Sequence, residues 1–85
     1  MISCRYVIST NHGLHAANAM SLRRAASDYQ CKITLESAKG VADCKNVLSL
    51  MSLGAKQGES LILTADGPDE KLAMGYLSGI LRTIL

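Results

Sequence analysis

The chain has two histidines, His12 and His15, and both fall in the segment Asn11-His12-Gly13-Leu14-His15-Ala16-Ala17. Thr10-Asn11-His12-Gly13 has the chemistry of a loop, and from Ala16 onward apolar residues recur at helical spacing. His15 therefore sits where a loop hands over to a helix. Its imidazole can lie beside the orphan N–H groups of the first helical turn, which together with the helix dipole stabilise an anion. Imidazole titrates near ~6.5, so its neutral form is a competent nucleophile at neutral pH. An imidazole at a helix N-terminus is chemically suited to carry a transient phosphoryl group. Spacing alone fits better a His15 that caps the helix or points to water, and a His12 that is a solvated loop residue. Two histidines in a loop are too few donors for a metal without nearby Cys or carboxylates, so neither a metal nor a cofactor is expected.

Other constellations are missing. No local spacing suggests a Ser-His-Asp set, and no Gly-rich phosphate loop carries its Lys. Cys4, Cys31 and Cys44 are an odd number with no CxxC pair, which predicts buried small hydrophobes in a reduced, cytoplasmic chain. Nine Lys and Arg against seven Asp and Glu leave a net charge of +2, a weak field for a polyanion binder. With no Trp, no Phe and three Tyr, few π-faces exist to stack bases, so nucleic acid is not an expected partner. No apolar run approaches the roughly 18–20 residues that span a bilayer, and Met1-Ile2-Ser3-Cys4-Arg5-Tyr6 lacks the features of a signal peptide. No membrane insertion is expected.

The elements that must hold the histidines follow from periodicity. Ile2, Cys4, Tyr6 and Ile8 alternate with Ser3, Arg5 and Val7, as in a half-buried strand. Ala19, Leu22, Ala26 and Tyr29 recur at steps of three, four and three, placing them on one helical face opposite Arg23, Arg24, Ser27 and Asp28. Cys31, Ile33 and Leu35 alternate with Lys32, Thr34 and Glu36, and a Lys39-Gly40 turn leads into a short returning strand over 41–44. Asn46 is placed to cap a brief helix over 47–53, ended by Gly54. After a turn at Gln57-Gly58, residues 60–65 read as a strand. Asp66-Gly67-Pro68-Asp69-Glu70 predicts a helix start with Pro in the first turn and two acids at the N-terminus. Ala73, Leu77, Ile80, Leu81 and Ile84 form the buried face of this helix. Gly75 and Gly79 are expected to permit close packing on the sheet. The order β-α-β-β-α-β-α, with one apolar face per strand and three amphipathic helices, predicts a single α+β domain over 1–85: two layers with an open sheet face.

Gly13-Leu14-His15-Ala16 followed by Ala19, and the later Met51-Ser52-Leu53-Gly54-Ala55, resemble two separated motifs of the HPr family of histidine phosphocarriers. The resemblance runs the length of the chain. It implies the HPr fold, an α+β open-faced β-sandwich with a four-stranded antiparallel sheet and three helices on one face. It also implies a phosphocarrier rather than an enzyme, accepting a phosphoryl group on His15 through Nδ1. The donor would be Enzyme I, charged by phosphoenolpyruvate, and the acceptors the sugar-specific proteins of the bacterial phosphotransferase system. By the same resemblance the backbone N–H groups of Ala16 and Ala17 bind the phosphoryl group. Met20, Arg24, Val47, Leu48 and Met51 form the partner surface beside Ala16, with exposed Met suiting a face that meets several partners. A monomer is expected.

Three positions depart from the family pattern. Ala17 and Asn18 stand where the family reads Arg-Pro, so a bidentate, charge-assisted contact to the phosphoryl group is lost, as is the preset backbone angle of Pro. Arg23 and Arg24 lie roughly 12 Å further along the helix and do not replace it. His12 is the nearer candidate for a compensating donor, because Gly13 permits a turn that brings the two rings together. Asn46 stands where many relatives carry a kinase-targeted Ser; it keeps the capping role and cannot accept phosphate. Ser49 is expected to be simply exposed. Loss of the Arg-Pro pair leaves open a regulatory binding module with impaired or no phosphotransfer, and an HPr domain of a larger phosphotransferase protein is a separate alternative.

Overall fold

The computed structural model describes residues 1–85. Seven elements follow one another: β1 (Ile2–Val7), α1 (Ala16–Ala26), β2 (Lys32–Ser37), β3 (Gly40–Asp43), α2 (Val47–Ser52), β4 (Ser60–Asp66) and α3 (Glu70–Ile84). The strands form one sheet in the order β1-β4-β2-β3, and every neighbouring pair is antiparallel. β4 lies between β1 and β2, so these two run in the same direction and α1 is the crossover that joins them.

The period of two decides which face is covered. Cys4, Leu63, Leu35 and Ala42 stand side by side across the four strands, and the last three are buried. The adjacent row, Arg5, Ile62, Glu36 and Val41, points the other way and is exposed. Leu22, Leu50, Leu77 and Leu81 of the helices meet Ile33, Leu35, Leu61 and Leu63 of the sheet in one apolar cluster. Each such fully buried side chain contributes about 1.5–3 kcal/mol. The outer face stays open and polar. There Ser3 Oγ and Thr64 Oγ1 lie 2.9 Å apart, and Arg5 Nη2 donates to Ser60 Oγ at 3.1 Å. The architecture is the four-stranded antiparallel sheet with three helices on one face that the sequence implied. No helix is long and apolar enough to cross a membrane.

Several local expectations are corrected. Pro68 is not in the first turn of α3: Asp69 is the N-cap and Glu70 opens the helix, leaving Pro68 one residue outside. The Asp69 carboxylate does not cap α3. It accepts from the N–H of Gln30 at 2.8 Å and of Cys31 at 2.9 Å, fastening the start of α3 to the entry of β2. The Gln30 amide, helped by Cys31, holds the Asp69 carboxyl below its ordinary value. α1 ends at Ala26, so Tyr29 lies beyond it and packs half-buried on the core. On α3, Met74 is buried, whereas Ile80 and Ile84 are only partly so. Cys31 and Cys44 are buried and Cys4 half-buried; burial pushes the Cys44 thiol up to about 12, which leaves it unreactive.

Gly75 and Gly79 do not pack closely on anything. A Cβ built at either would meet nothing within 4 Å, so both glycines carry their entropic penalty in α3 without a compensating contact. Gly75→Ala and Gly79→Ala are each expected to stabilise the fold by about 1 kcal/mol. The check is the urea midpoint, which should rise with an unchanged m-value; a lower midpoint would show that this face of α3 needs its glycines.

Candidate functional site

The site is built where the β1–α1 loop leans on the α2–β4 loop. After β1, Ile8 turns into the core and its N–H donates to the Glu59 carbonyl at 3.0 Å. The N–H groups of Ser9 and Thr10 both donate to the Leu85 carbonyl, at 2.8 and 3.0 Å, which ties the base of the loop to the end of α3. Gly13 then adopts φ +62, and the Leu14 N–H donates to the Ala55 carbonyl at 2.9 Å. Leu14 is buried. The chain reaches His15 in extended geometry (φ −133, ψ −179), and His15 is the N-cap of α1.

His15, Ala16 and Ala17 are all exposed. The first helical hydrogen bond runs from the Ala19 N–H to the His15 carbonyl at 2.9 Å, which leaves the N–H groups of Ala16 and Ala17 at the open end of the helix. No acidic residue stands in the first turn of α1, while Arg23 and Arg24 lie in its last turn. The field at the N-terminus is thus that of an uncompensated helix end, favourable to an anion. His12 is also exposed, and the ring centroids of His12 and His15 are 6.1 Å apart, edge to face at 87°. The turn at Gly13 brings the two imidazoles to one small surface.

Asn18 has a role that sequence reasoning missed. It is the one buried polar residue of the chain, 6% exposed. Its Oδ1 accepts from the His15 N–H at 2.7 Å and its Nδ2 donates to the Gly13 carbonyl at 2.8 Å. The available signal was position: the third helical residue is the one whose side chain can reach back to the N-cap N–H.

The remaining predicted residues lie on two helices that pack against each other, α1 and α2. Met20, Leu48 and Met51 are 47%, 78% and 42% exposed, and Arg24 is exposed. Val47 instead packs partly buried on the core. The Asn46 side chain caps α2 by accepting from the Ser49 N–H at 3.2 Å. Ser49 is not simply exposed: its Oγ accepts from the Asp43 N–H at 2.9 Å, which anchors α2 to the end of β3.

Fold and site together define a small α+β protein that presents an imidazole at a helix N-terminus and exposed apolar side chains on the packed helices α1 and α2. The family model for the PTS HPr component phosphorylation site matches residues 2–83, and the chain belongs to the HPr family. It is 30% identical over 83 residues to the phosphocarrier protein HPr of Mycoplasma pneumoniae, covering 96% of this chain and 94% of that protein. HPr-C-His from Thermoanaerobacter tengcongensis superposes with a TM-score of 0.90 at 30% identity, covering 98% and 93% of the two chains. A mycoplasmal histidine-containing phosphocarrier protein, at 24% identity, shares the fold with a TM-score of 0.93 over 96% and 93%. These HPr relatives are phosphocarrier proteins.

Proposed function

We propose that this chain accepts a phosphoryl group on His15 from Enzyme I, charged by phosphoenolpyruvate, and delivers it to sugar-specific components of the phosphotransferase system in the cytoplasm. The observation that carries this reading is the exposed His15 at the open N-terminus of α1, with the Ala16 and Ala17 N–H groups at the same end. In the transfer, the Nδ1 lone pair of neutral His15 attacks phosphorus and a P–N bond forms. The bond from phosphorus to the donor atom of Enzyme I breaks, and its electron pair stays on that atom. Delivery repeats the exchange with the acceptor's nucleophile attacking and His15 Nδ1 leaving. Two helix-end N–H groups hold the phosphoryl oxygens throughout. Met20, Leu48 and Met51, with the half-buried Val47 and the exposed Arg24, form the docking patch.

His12 takes part of the role that an Arg at position 17 would have. Protonated, it donates a charge-assisted bond to a phosphoryl oxygen, worth about 1.5–3 kcal/mol; the 6.1 Å between ring centroids leaves room for that group. His12→Ala is expected to shorten the phosphohistidine lifetime, because a donor beside the phosphoryl group is lost. A lifetime equal to the parent's removes His12 from the site. The function itself is tested by reconstitution with phosphoenolpyruvate, Enzyme I and a sugar-specific acceptor, where sugar phosphate should form only when this chain is added. Phosphoryl transfer onto the chain without transfer off it would replace the relay by a phosphorylated regulatory module.

A further inference from the structure

We infer that Asn18 is a positioning residue whose amide locks the Gly13 turn and the His15 backbone into the acceptor geometry. The inference rests on the phosphocarrier reading for its kinetic consequence and on hydrogen bonding alone for its structural one. The two groups held by Asn18, the Gly13 carbonyl at 2.8 Å and the His15 N–H at 2.7 Å, lie on either side of Leu14. The amide therefore spans the turn as a strut inside the fold. From the other side the Leu14 N–H is held by the Ala55 carbonyl at 2.9 Å. A Cβ on Gly13 would come within 2.4 Å of that same oxygen. The segment from Gly13 to His15 is thus clamped between Asn18 and Ala55, with little freedom to carry the imidazole away from the helix end.

Few side chains could make both of the bonds that Asn18 makes. In this chain it meets a carbonyl with a donor and an N–H with an acceptor, and a neutral primary amide does both. A carboxylate would set negative charge against the Gly13 carbonyl and beside the incoming phosphoryl group. An apolar side chain would leave two backbone groups unpaired in a largely buried place. The clamp also allocates donors: the His15 N–H is committed to Asn18, so the phosphoryl oxygens fall to Ala16 and Ala17. The register between the ring and those two donors is what Asn18 preserves. Misplacing a reacting group by an ångström costs on the order of 100-fold in rate.

Two measurements test this. Native-state hydrogen exchange on the unaltered protein should show the His15 N–H protected like the amides within α1; exchange at the rate of an open amide overturns the proposal without reference to phosphoryl transfer. Asn18→Leu keeps the side-chain size and removes both hydrogen bonds. It should lose about 10- to 100-fold in kcat for phosphoryl acceptance, with KM for the carrier nearly unchanged because the docking residues are untouched. A merely structural role would lower thermal stability and leave kcat per folded molecule at the parent value, and that result overturns the proposal. If the parent protein accepts no phosphoryl group, the functional reading fails instead, and the exchange result decides the role of Asn18 by itself.

Discussion

Gly13→Ala is expected to destabilise the protein by about 2–5 kcal/mol, the sum of left-handed strain at a residue with a Cβ and of overpacking. Gly13 has φ +62, and the added Cβ would lie 2.4 Å from the Ala55 oxygen and 2.9 Å from the Lys56 Cα. Both obstacles are backbone, so no side-chain rotation relieves them. The loop must lift away from Ala55, which breaks the Leu14 N–H bond to the Ala55 carbonyl and pulls the Gly13 carbonyl from Asn18. For a domain of this size the loss corresponds to a fall in Tm of about 4–8 °C per kcal/mol. Phosphoryl acceptance should fall as well, even at temperatures where the variant is fully folded. A Gly13→Ala protein with the parent's Tm would contradict the packing of this loop against the α2–β4 connection.

Ala17→Arg should shift the equilibrium of phosphoryl exchange with Enzyme I toward the phosphorylated carrier by about 10- to 100-fold, the equivalent of a charge-assisted hydrogen bond of 1.5–3 kcal/mol. Ala17 is exposed and sits in the first turn of α1, so a longer side chain meets no packed neighbour. A guanidinium there can reach a phosphate on His15 with two parallel N–H groups. In the unphosphorylated protein the same charge sits unfavourably at a helix N-terminus, at about 0.3–1 kcal/mol, and Tm should drop slightly. Gain of phosphorylated carrier with mild loss of stability is therefore the signature. An unchanged equilibrium would mean that the groups already present, His12 among them, fully satisfy the phosphoryl oxygens.

What was legible in the sequence is what depends on local period. The alternation of β1 and β2 predicts which side chains face the helices, because Cys4 and Leu35 each stand in the apolar row of their strand and fall on one face of the sheet. Asn46 as the cap of α2 is likewise a local matter. The histidine site was legible as far as the change from loop to helix at His15. Where inference failed, contacts between distant segments decide. Asp69 looks like the acid of a helix start, yet its carboxylate goes to Gln30 and Cys31, which only the folded arrangement brings near. Gly75 and Gly79 suggested a tight helix–sheet contact, but their faces of α3 open onto free space. Asn18 looked like a lost Pro, and its compensating bonds exist only because Gly13 turns its carbonyl back toward the helix. Spacing gives the side of an element that a residue occupies; it does not give the partner of a polar group.

The most direct test of the account is the chemical identity of the phosphorylated atom. The protein, labelled with nitrogen-15, is incubated with phosphoenolpyruvate and Enzyme I, and its imidazole resonances are followed alongside phosphate content. One acid-labile phosphoryl group per chain is predicted, on Nδ1 of His15. His15→Ala should keep the fold, since His15 is exposed, and take up none. Phosphate on His12 or on a serine, or a His15→Ala protein that labels as fully as the parent, would contradict the account.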